Sequence, residues 1–145
     1  MRVAEHVDLV GLLALVAALA VATAVGLALR ARSGKVRTAG ASGGWALAER
    51  TPAEDERVLL LQLSSPICTP CLQTTAVLDG LAACTAGVVH VEVDVAERPE
   101  VARALRVLRT PTTVAFDRTG AELLRVSGVP RVTELTAALA PALVT

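Results

Sequence analysis

Apolar residues in this chain are concentrated in one long uninterrupted run near the N-terminus. Residues 9–29 contain no charged side chain. A helix rises about 1.5 Å per residue, so this run spans roughly 31 Å and matches a bilayer core of about 30 Å. A buried helix of a globular domain rarely runs so far without a polar position. We therefore predict a transmembrane helix over 9–29, preceded by a short flank at 1–8.

A cleaved signal peptide is the main alternative for this segment. Signal peptides begin with a basic region and carry an apolar run of only about 7–15 residues. Here Arg2 is offset by Glu5 and Asp8, and the small-residue segment 39–41 follows the basic cluster instead of preceding it. A retained membrane anchor is favoured.

The basic residues beside the span predict its orientation. The N-terminal flank has Arg2 alone, whereas the other side has Arg30, Arg32, Lys35 and Arg37. The positive-inside rule then places the N-terminus outside and the rest of the chain in the cytoplasm. The opposite orientation, with the domain on the extracytoplasmic face, is the alternative.

Residues 30–50 are basic at first and then rich in Gly, Ser and Ala, which indicates a flexible linker. Within it, the segment 45–48 is interpreted either as a short first strand or as a contact with the membrane surface. Thr51, Pro52 and the acidic residues after them predict the start of a short helix. We place the globular domain at 51–145.

The domain alternates between strand and helix patterns. Val58–Leu63 is apolar without alternation, as in a strand buried on both faces, and an amphipathic stretch continues to Ala83. Further strands are predicted at 88–95, 112–117 and 122–126. Helices are predicted at 99–108, with Val101, Leu105 and Leu108 inward, and at 130–143. This order predicts an α/β fold with a mixed central sheet, parallel first and antiparallel at the last hairpin, and helices on both faces.

Candidate chemistry lies where the first strand passes into the first helix of the domain, at Cys68 and Cys71. A helix N-terminus presents free N–H groups and a positive dipole end, both of which stabilise a thiolate. Cys71 lies one turn further on, close enough for a disulfide with Cys68. The helical spacing turns Cys71 inward, so the sequence predicts an exposed attacking cysteine and a shielded resolving one.

Composition narrows the function classes. The formal net charge is zero and the only aromatic residues are one Trp and one Phe, so a nucleic-acid-binding surface is not expected. The third cysteine, Cys84, is predicted to be a small buried residue. A zinc site of Cys68, Cys71, Cys84 and His90 has acceptable spacing, but the intervening helix would hold its halves some 15–20 Å apart. His90 is interpreted as a half-buried polar position on a strand, and Glu92 and Asp94 as solvated charges at the strand end.

Two motifs resemble the thioredoxin family. One is Cys68-Thr69-Pro70-Cys71, and the other is the segment 107–112 around Thr110-Pro111, roughly 40 residues later. The turn at 117–120 and the pair Ser127-Gly128 are also similar to that family. The resemblance covers about 57–143 and identifies the chain as similar to membrane-anchored bacterial thioredoxin-domain proteins.

The resemblance implies a thioredoxin-like fold and a thiol–disulfide oxidoreductase. Its redox group would be the Cys68–Cys71 disulfide rather than a bound cofactor or metal. Pro111 would follow a cis peptide bond, and Thr110 and Ile67 would contact substrate. The implied partners are protein dithiol or disulfide substrates, and an upstream reductant that is either thioredoxin reductase-like or a transmembrane electron donor.

Two residues depart from the family pattern. Ile67 stands where the family has Trp, and Gln62 stands where it has a buried acid that assists proton transfer to the resolving cysteine. A neutral amide cannot act as that base. If the family mechanism applies, resolution must rely on water or another group, and the disulfide chemistry itself stays intact. A non-redox module that keeps the fold for partner binding is a separate alternative, and the intact Cys68 and Cys71 argue against it.

Overall fold

The computed structural model describes residues 2–32, 36–37 and 43–144 of the chain. These residues belong to two units, 1–32 and 33–145. The first is helix α1 (Arg2–Arg32), in which Gly11–Ala28 is long and apolar enough to cross a membrane. The side chains of residues 11–28 are exposed, which suits a helix whose apolar surface contacts lipid.

The second unit is a five-stranded sheet with helices on both faces. Its remaining elements are β1 (Val36–Arg37), α2 (Gly44–Leu47), β2 (Val58–Ser64), α3 (Thr69–Cys84), β3 (Val88–Asp94), α4 (Pro99–Ala104), β4 (Thr112–Asp117), β5 (Glu122–Ser127) and α5 (Val132–Leu143). The strand order is β1-β5-β4-β2-β3. Strand β2 is parallel to β3 and antiparallel to β4, and β4 and β5 form an antiparallel hairpin. The predicted mixed α/β sheet is confirmed.

Strand β2 is the centre of two cores, because side chains alternate between the faces of a strand. Leu59, Leu61 and Leu63 face the core that includes α2 and α4. Val58 and Leu60 face the opposite core, beneath α3 and α5. All seven residues of β2 are buried, as the unbroken apolar run predicts, and this fixes the position of the loop that follows it.

Within the second unit, described residues that precede β2 pack on the sheet. Strand β1 pairs with β5 through Val36 and Val126. Trp45 lies in helix α2 instead of a strand or a membrane contact, and it packs in the core with 5% of its surface exposed. Its indole Nε1 donates to the carbonyl of Asp117 at 2.7 Å. Part of the predicted linker, 33–35 and 38–42, lies outside the described residues.

The predictions for the helix near residue 51 and for the end of α4 are wrong. Residues 51–56 form a loop rather than a short helix. Helix α4 ends at Ala104 instead of Leu108, because Arg106 adopts a left-handed conformation with φ 52°. The N–H of Val107 bonds to Ala102 and that of Arg106 to Arg103, a Schellman-type ending. This ending turns Leu108 outward, where it is 98% exposed.

Helix α5 also differs in detail from its prediction. It begins at Val132, two residues after the predicted start. Leu135 and Leu139 are buried, whereas Ala138, between them in the sequence, is exposed. The inward face of this helix is therefore narrower than its apolar composition suggests.

Candidate active site

Cys68 caps the N-terminus of α3. Its backbone is extended, with φ −146° and ψ 95°, and the backbone N–H of Cys71 donates to Cys68 Sγ at 3.2 Å. The carbonyl of Cys68 accepts from the N–H of Cys71 and Leu72. Pro70 lies in the first turn, where a missing N–H costs nothing. The N-terminus of α3 is thus directed at the Cys68 sulfur, and its N–H groups and positive dipole end stabilise negative charge on that sulfur.

Cys68 and Cys71 are joined in a disulfide. The two sulfurs are 2.05 Å apart and the two Cα atoms 5.2 Å apart. Cys71 is 2% exposed, because it lies on the inner face of α3 with Thr74, Leu78 and Leu81. Cys68 is half-buried and precedes the helix. An incoming thiol or disulfide therefore reaches Cys68 before it reaches Cys71.

A second loop lies beside the cysteines. The Thr110-Pro111 peptide bond is cis. The hydroxyl of Ser65, in the loop before Cys68, is 3.1 Å from that of Thr110, so the two loops are in contact. Pro111 is buried and its carbonyl accepts from the N–H of Gly128. Among the described residues, none forms a hydrogen bond with the backbone N–H or C=O of Thr110.

The exposed end of this site carries apolar side chains. Ile67 is 100% exposed and Leu72 is 73% exposed, and these two residues flank the cysteine motif. Thr69 and Pro70, between the cysteines, are exposed as well. Leu108, near the Thr110 loop, adds a third exposed apolar side chain that the sequence analysis placed in the core.

Gln62 lies behind the disulfide and is fully buried. Its Nε2 is 2.7 Å from Ser64 Oγ, 3.1 Å from the carbonyl oxygen of Cys71 and 3.0 Å from Thr75 Oγ1. The same nitrogen is 3.3 Å from Glu92 Oε1. Gln62 Oε1 has no hydrogen-bond partner among the described residues. The buried amide therefore acts as a donor at the centre of a polar cluster behind the resolving cysteine.

Glu92 is the functional candidate that the sequence analysis missed. The sequence predicts a solvated strand-end charge there, and Glu92 is indeed exposed. It is nevertheless the direct partner of Gln62 in the parallel β2–β3 pairing. Both are the fifth residue of a seven-residue strand. The predicted parallel pairing of the two strands was the available signal, but the register that aligns these residues is a tertiary property.

A cavity of about 390 Å³ adjoins the disulfide on the β3 side. Both cysteines and three carboxylates, Glu92, Asp94 and Glu97, are among the residues that line it. None of these carboxylates has a Lys, Arg or His ion-pair partner within the described part of the chain. The disulfide thus opens onto a polar, acidic cavity that has room for several water molecules.

The residues of the alternative zinc site are dispersed. Cys68 and Cys71 are bonded to each other, whereas Cys84 is at the far end of α3. His90 Nδ1 is 2.7 Å from Asp79 Oδ1. Cys84 is an exposed free thiol, so the prediction that it is buried is wrong. Leu81 is the last residue of α3 that is buried, and the helix extends past the core beyond it.

A disulfide at a helix N-terminus, with a cis-proline loop beside it and a mixed sheet beneath, defines a thiol–disulfide redox domain. Residues 49–141 match the sequence model of the family described as Thioredoxin. The chain therefore belongs to the thioredoxin family, and the cysteine pair makes it a thiol–disulfide oxidoreductase.

Solved structures agree with this assignment. A single-substitution variant of thioredoxin from Halobacterium salinarum NRC-1 is 26% identical, with a TM-score of 0.58 over 70% of this chain and 87% of that one. Thioredoxin from Fasciola hepatica is also 26% identical, with a TM-score of 0.53 over 61% and 83% of the two chains. Mitochondrial thioredoxin 3 from Saccharomyces cerevisiae, 24% identical with a TM-score of 0.52 over 59% and 79%, shares the fold. A comparison with curated proteins finds no match.

Proposed function

We propose that this protein is a membrane-tethered oxidoreductase that reduces or exchanges disulfides in protein substrates. The observation that carries the proposal is the asymmetry of the pair: Cys68 is accessible at a helix N-terminus, and Cys71 is 2% exposed behind it. In such an arrangement, Cys68 attacks the substrate disulfide and Cys71 resolves the mixed disulfide.

In the proposed reaction, the Cys68 thiolate attacks a substrate disulfide and releases one substrate sulfur as a thiolate. Cys71 then attacks Cys68 Sγ, which forms the Cys68–Cys71 disulfide and releases the second substrate sulfur. The substrate gains two electrons and the enzyme is oxidised. An upstream dithiol, either thioredoxin reductase-like or a transmembrane electron donor, returns the two electrons by the reverse exchange.

Substrate binding is assigned to the residues around the exposed sulfur. The backbone of Thr110, which has no hydrogen-bond partner in the described part of the chain, is available to pair with an extended segment of substrate, in the manner of an added strand. Exposed Ile67 offers an apolar contact next to Cys68, and Pro111 holds the adjacent loop against Gly128. The contacts are mostly backbone and apolar, which favours unfolded or extended protein segments over one defined small molecule.

The redox proposal is tested by insulin reduction with the full-length chain in detergent micelles. Cys68→Ser should abolish turnover, and Cys71→Ser should accumulate a mixed disulfide with substrate that is visible on a non-reducing gel. Cys84→Ser is the matched control and should retain full activity, because Cys84 is at the opposite end of α3. Full activity of Cys68→Ser would refute the assignment of the nucleophile.

Membrane tethering through α1 and a cytoplasmic domain form the second part of the proposal. They are supported by the length of the apolar helix and by the basic residues that follow it. In the cytoplasm the redox poise favours a reductase. On the outer face the same domain would need a transmembrane electron donor.

Cys84 provides a built-in topology reporter, because it is exposed and outside the disulfide. A membrane-impermeant maleimide should leave Cys84 unlabelled in intact cells and label it after permeabilisation. Labelling of intact cells would place the domain outside. Recovery of the chain in the soluble fraction would refute tethering.

A further inference from the structure

The resolution step needs a proton acceptor for Cys71. A thiolate, and not a thiol, is the nucleophile in disulfide exchange. Cys71 is 2% exposed and therefore poorly accessible to bulk water. The side chain behind it, Gln62, is an amide that presents its Nε2 donor to the Cys71 carbonyl at 3.1 Å. Since a neutral amide does not take up a proton near neutral pH, another group must do so.

Glu92 is the carboxylate connected to Cys71. Its Oε1 is 3.3 Å from Gln62 Nε2, and its Oε2 is 3.0 Å from Thr75 Oγ1. Gln62 Nε2 and Thr75 Oγ1 also lie 3.1 Å and 3.0 Å from the Cys71 carbonyl oxygen. Two side chains within hydrogen-bond distance of the Cys71 carbonyl oxygen are thus also within hydrogen-bond distance of the two oxygens of one carboxylate.

The cavity beside the disulfide offers the proton a path from Cys71 to Glu92. Cys68, Cys71 and Glu92 all line it, and its volume of about 390 Å³ has room for several waters. Asp94 and Glu97 are the other carboxylates in its lining. Asp94 accepts from the N–H of Ala96. The His90–Asp79 pair lies on the same side of β3, further from the disulfide. Glu92 alone among these groups is bonded to the side chains that contact Cys71.

We propose that Glu92 accepts the proton of Cys71 during resolution, with Gln62 and Thr75 as positioning residues; this inference rests on the proposed function. The proton leaves Cys71 Sγ through cavity water to the Glu92 carboxylate. The resulting thiolate attacks Cys68 Sγ, so that the Cys71–Cys68 bond forms and the bond from Cys68 to the substrate sulfur breaks. The electron pair of that bond leaves with the substrate. In the reverse direction, Glu92 returns the proton to Cys71 when a reductant opens the disulfide at Cys68.

Stopped-flow reaction with dithiobis(nitrobenzoate) separates the two steps. The reduced full-length chain is used in micelles, with Cys84→Ser as background because that exposed thiol would also react. Attack by Cys68 releases one thionitrobenzoate in a phase that depends on reagent concentration. Attack by Cys71 releases the second in a phase that does not. Glu92→Ala should slow the second phase by about tenfold and leave the first unchanged, because cavity water replaces part of the lost base catalysis.

Chemical rescue distinguishes a proton acceptor from a merely structural residue. Added formate should enter the space vacated in Glu92→Ala and accelerate the second phase. Glu92→Gln, which keeps the shape and fills the space, should be slow and insensitive to formate. Glu97→Ala is the matched control, because Glu97 lines the cavity without a bond to Gln62 or Thr75; its second phase should match that of the background protein.

The outcomes separate this inference from the function on which it rests. A background protein without a second phase would refute the resolving role of Cys71 and with it the proposed function. A second phase that is equally fast in the background protein and in Glu92→Ala would overturn the role of Glu92 alone. If the second phase of Glu92→Ala is slow and formate does not accelerate it, the role of Glu92 as proton acceptor is also overturned. A lost structural contact would then explain the slow second phase.

Discussion

Helix α2 is packed so closely on the sheet that a single methyl group should dislodge it. A Cβ added at Gly44 would be 2.1 Å from Phe116 Cγ and 2.3 Å and 2.4 Å from the two Cδ atoms of that ring. Carbon atoms in favourable contact are about 3.5–4.0 Å apart. Gly44→Ala therefore requires a displacement of more than about 1 Å between α2 and β4.

Displacing either Phe116 or helix α2 lowers the free energy of unfolding. Phe116 is fully buried in the core between β4 and α2. If α2 moves instead, Trp45 moves with it, and the bond from its Nε1 to the carbonyl of Asp117 is lost. Overpacking a core costs about 1–3 kcal/mol, and the partial exposure of a large aromatic side chain adds to this. We expect Gly44→Ala to lower the free energy of unfolding by about 2–4 kcal/mol.

Urea unfolding of the full-length chain in micelles measures this change, with fluorescence of Trp45 as the probe. Trp45 is the sole tryptophan, so its emission should also shift to the red in the folded variant. Gly80→Ala is the matched control. Gly80 lies within α3 and is exposed. Apart from its own helix, no atom of the described residues lies within 4 Å of an added Cβ. There the same substitution should stabilise the protein by up to about 1 kcal/mol through helix propensity.

The opposite signs of these two changes make the test decisive. Equal unfolding midpoints for Gly44→Ala and the parent, with unchanged tryptophan emission, would refute the close packing of α2 on Phe116. Destabilisation by Gly80→Ala would show that general effects of the substitution outweigh local packing.

Three further predictions concern stability, pH and substrate. Leu78→Ala removes a fully buried side chain beneath α3 and should cost about 2–5 kcal/mol in urea unfolding; a loss below 1 kcal/mol would contradict that packing. Burial by itself would raise the pKa of Asp117, but hydrogen bonds from Thr119 and Ala121 outweigh it and hold that pKa below 3.8. A carboxyl group with a lowered pKa stabilises the fold at pH values above its unfolded-state pKa, and this stabilisation is lost as the pH falls. The loss of unfolding free energy caused by Asp117→Asn at pH 7 should therefore become smaller below about pH 3.8. A loss that does not change with pH would contradict the lowered pKa of Asp117. Leu108→Ala should change the free energy of unfolding by less than about 0.5 kcal/mol, because that side chain is 98% exposed. It should lower kcat/KM for insulin but not for a small disulfide. An equal loss with both substrates would exclude a docking role for Leu108.

Much of the fold follows from local sequence patterns. The run 58–63 predicts a strand buried on both faces, and all seven residues of β2 are buried. The order of strands and helices from β2 to α5 follows from changes in hydrophobic period and from turn residues. The placement of Cys68 at a helix start is local as well, because capping depends on residues within one turn.

The sequence by itself therefore determined the alternation of strands and helices, the apolar N-terminal helix and the cysteine pair at the start of α3, since each depends on near neighbours along the chain. Only the tertiary structure decided the contacts between distant residues. The bond between Gln62 and Glu92 joins positions 30 residues apart, and that between Trp45 and Asp117 joins positions 72 apart. Such contacts depend on strand register and on how helices pack against the sheet, and no local pattern encodes either. Leu108 shows a different limit, because the left-handed conformation of Arg106 ends the helix locally and turns Leu108 outward, and hydrophobic periodicity does not reveal such an ending.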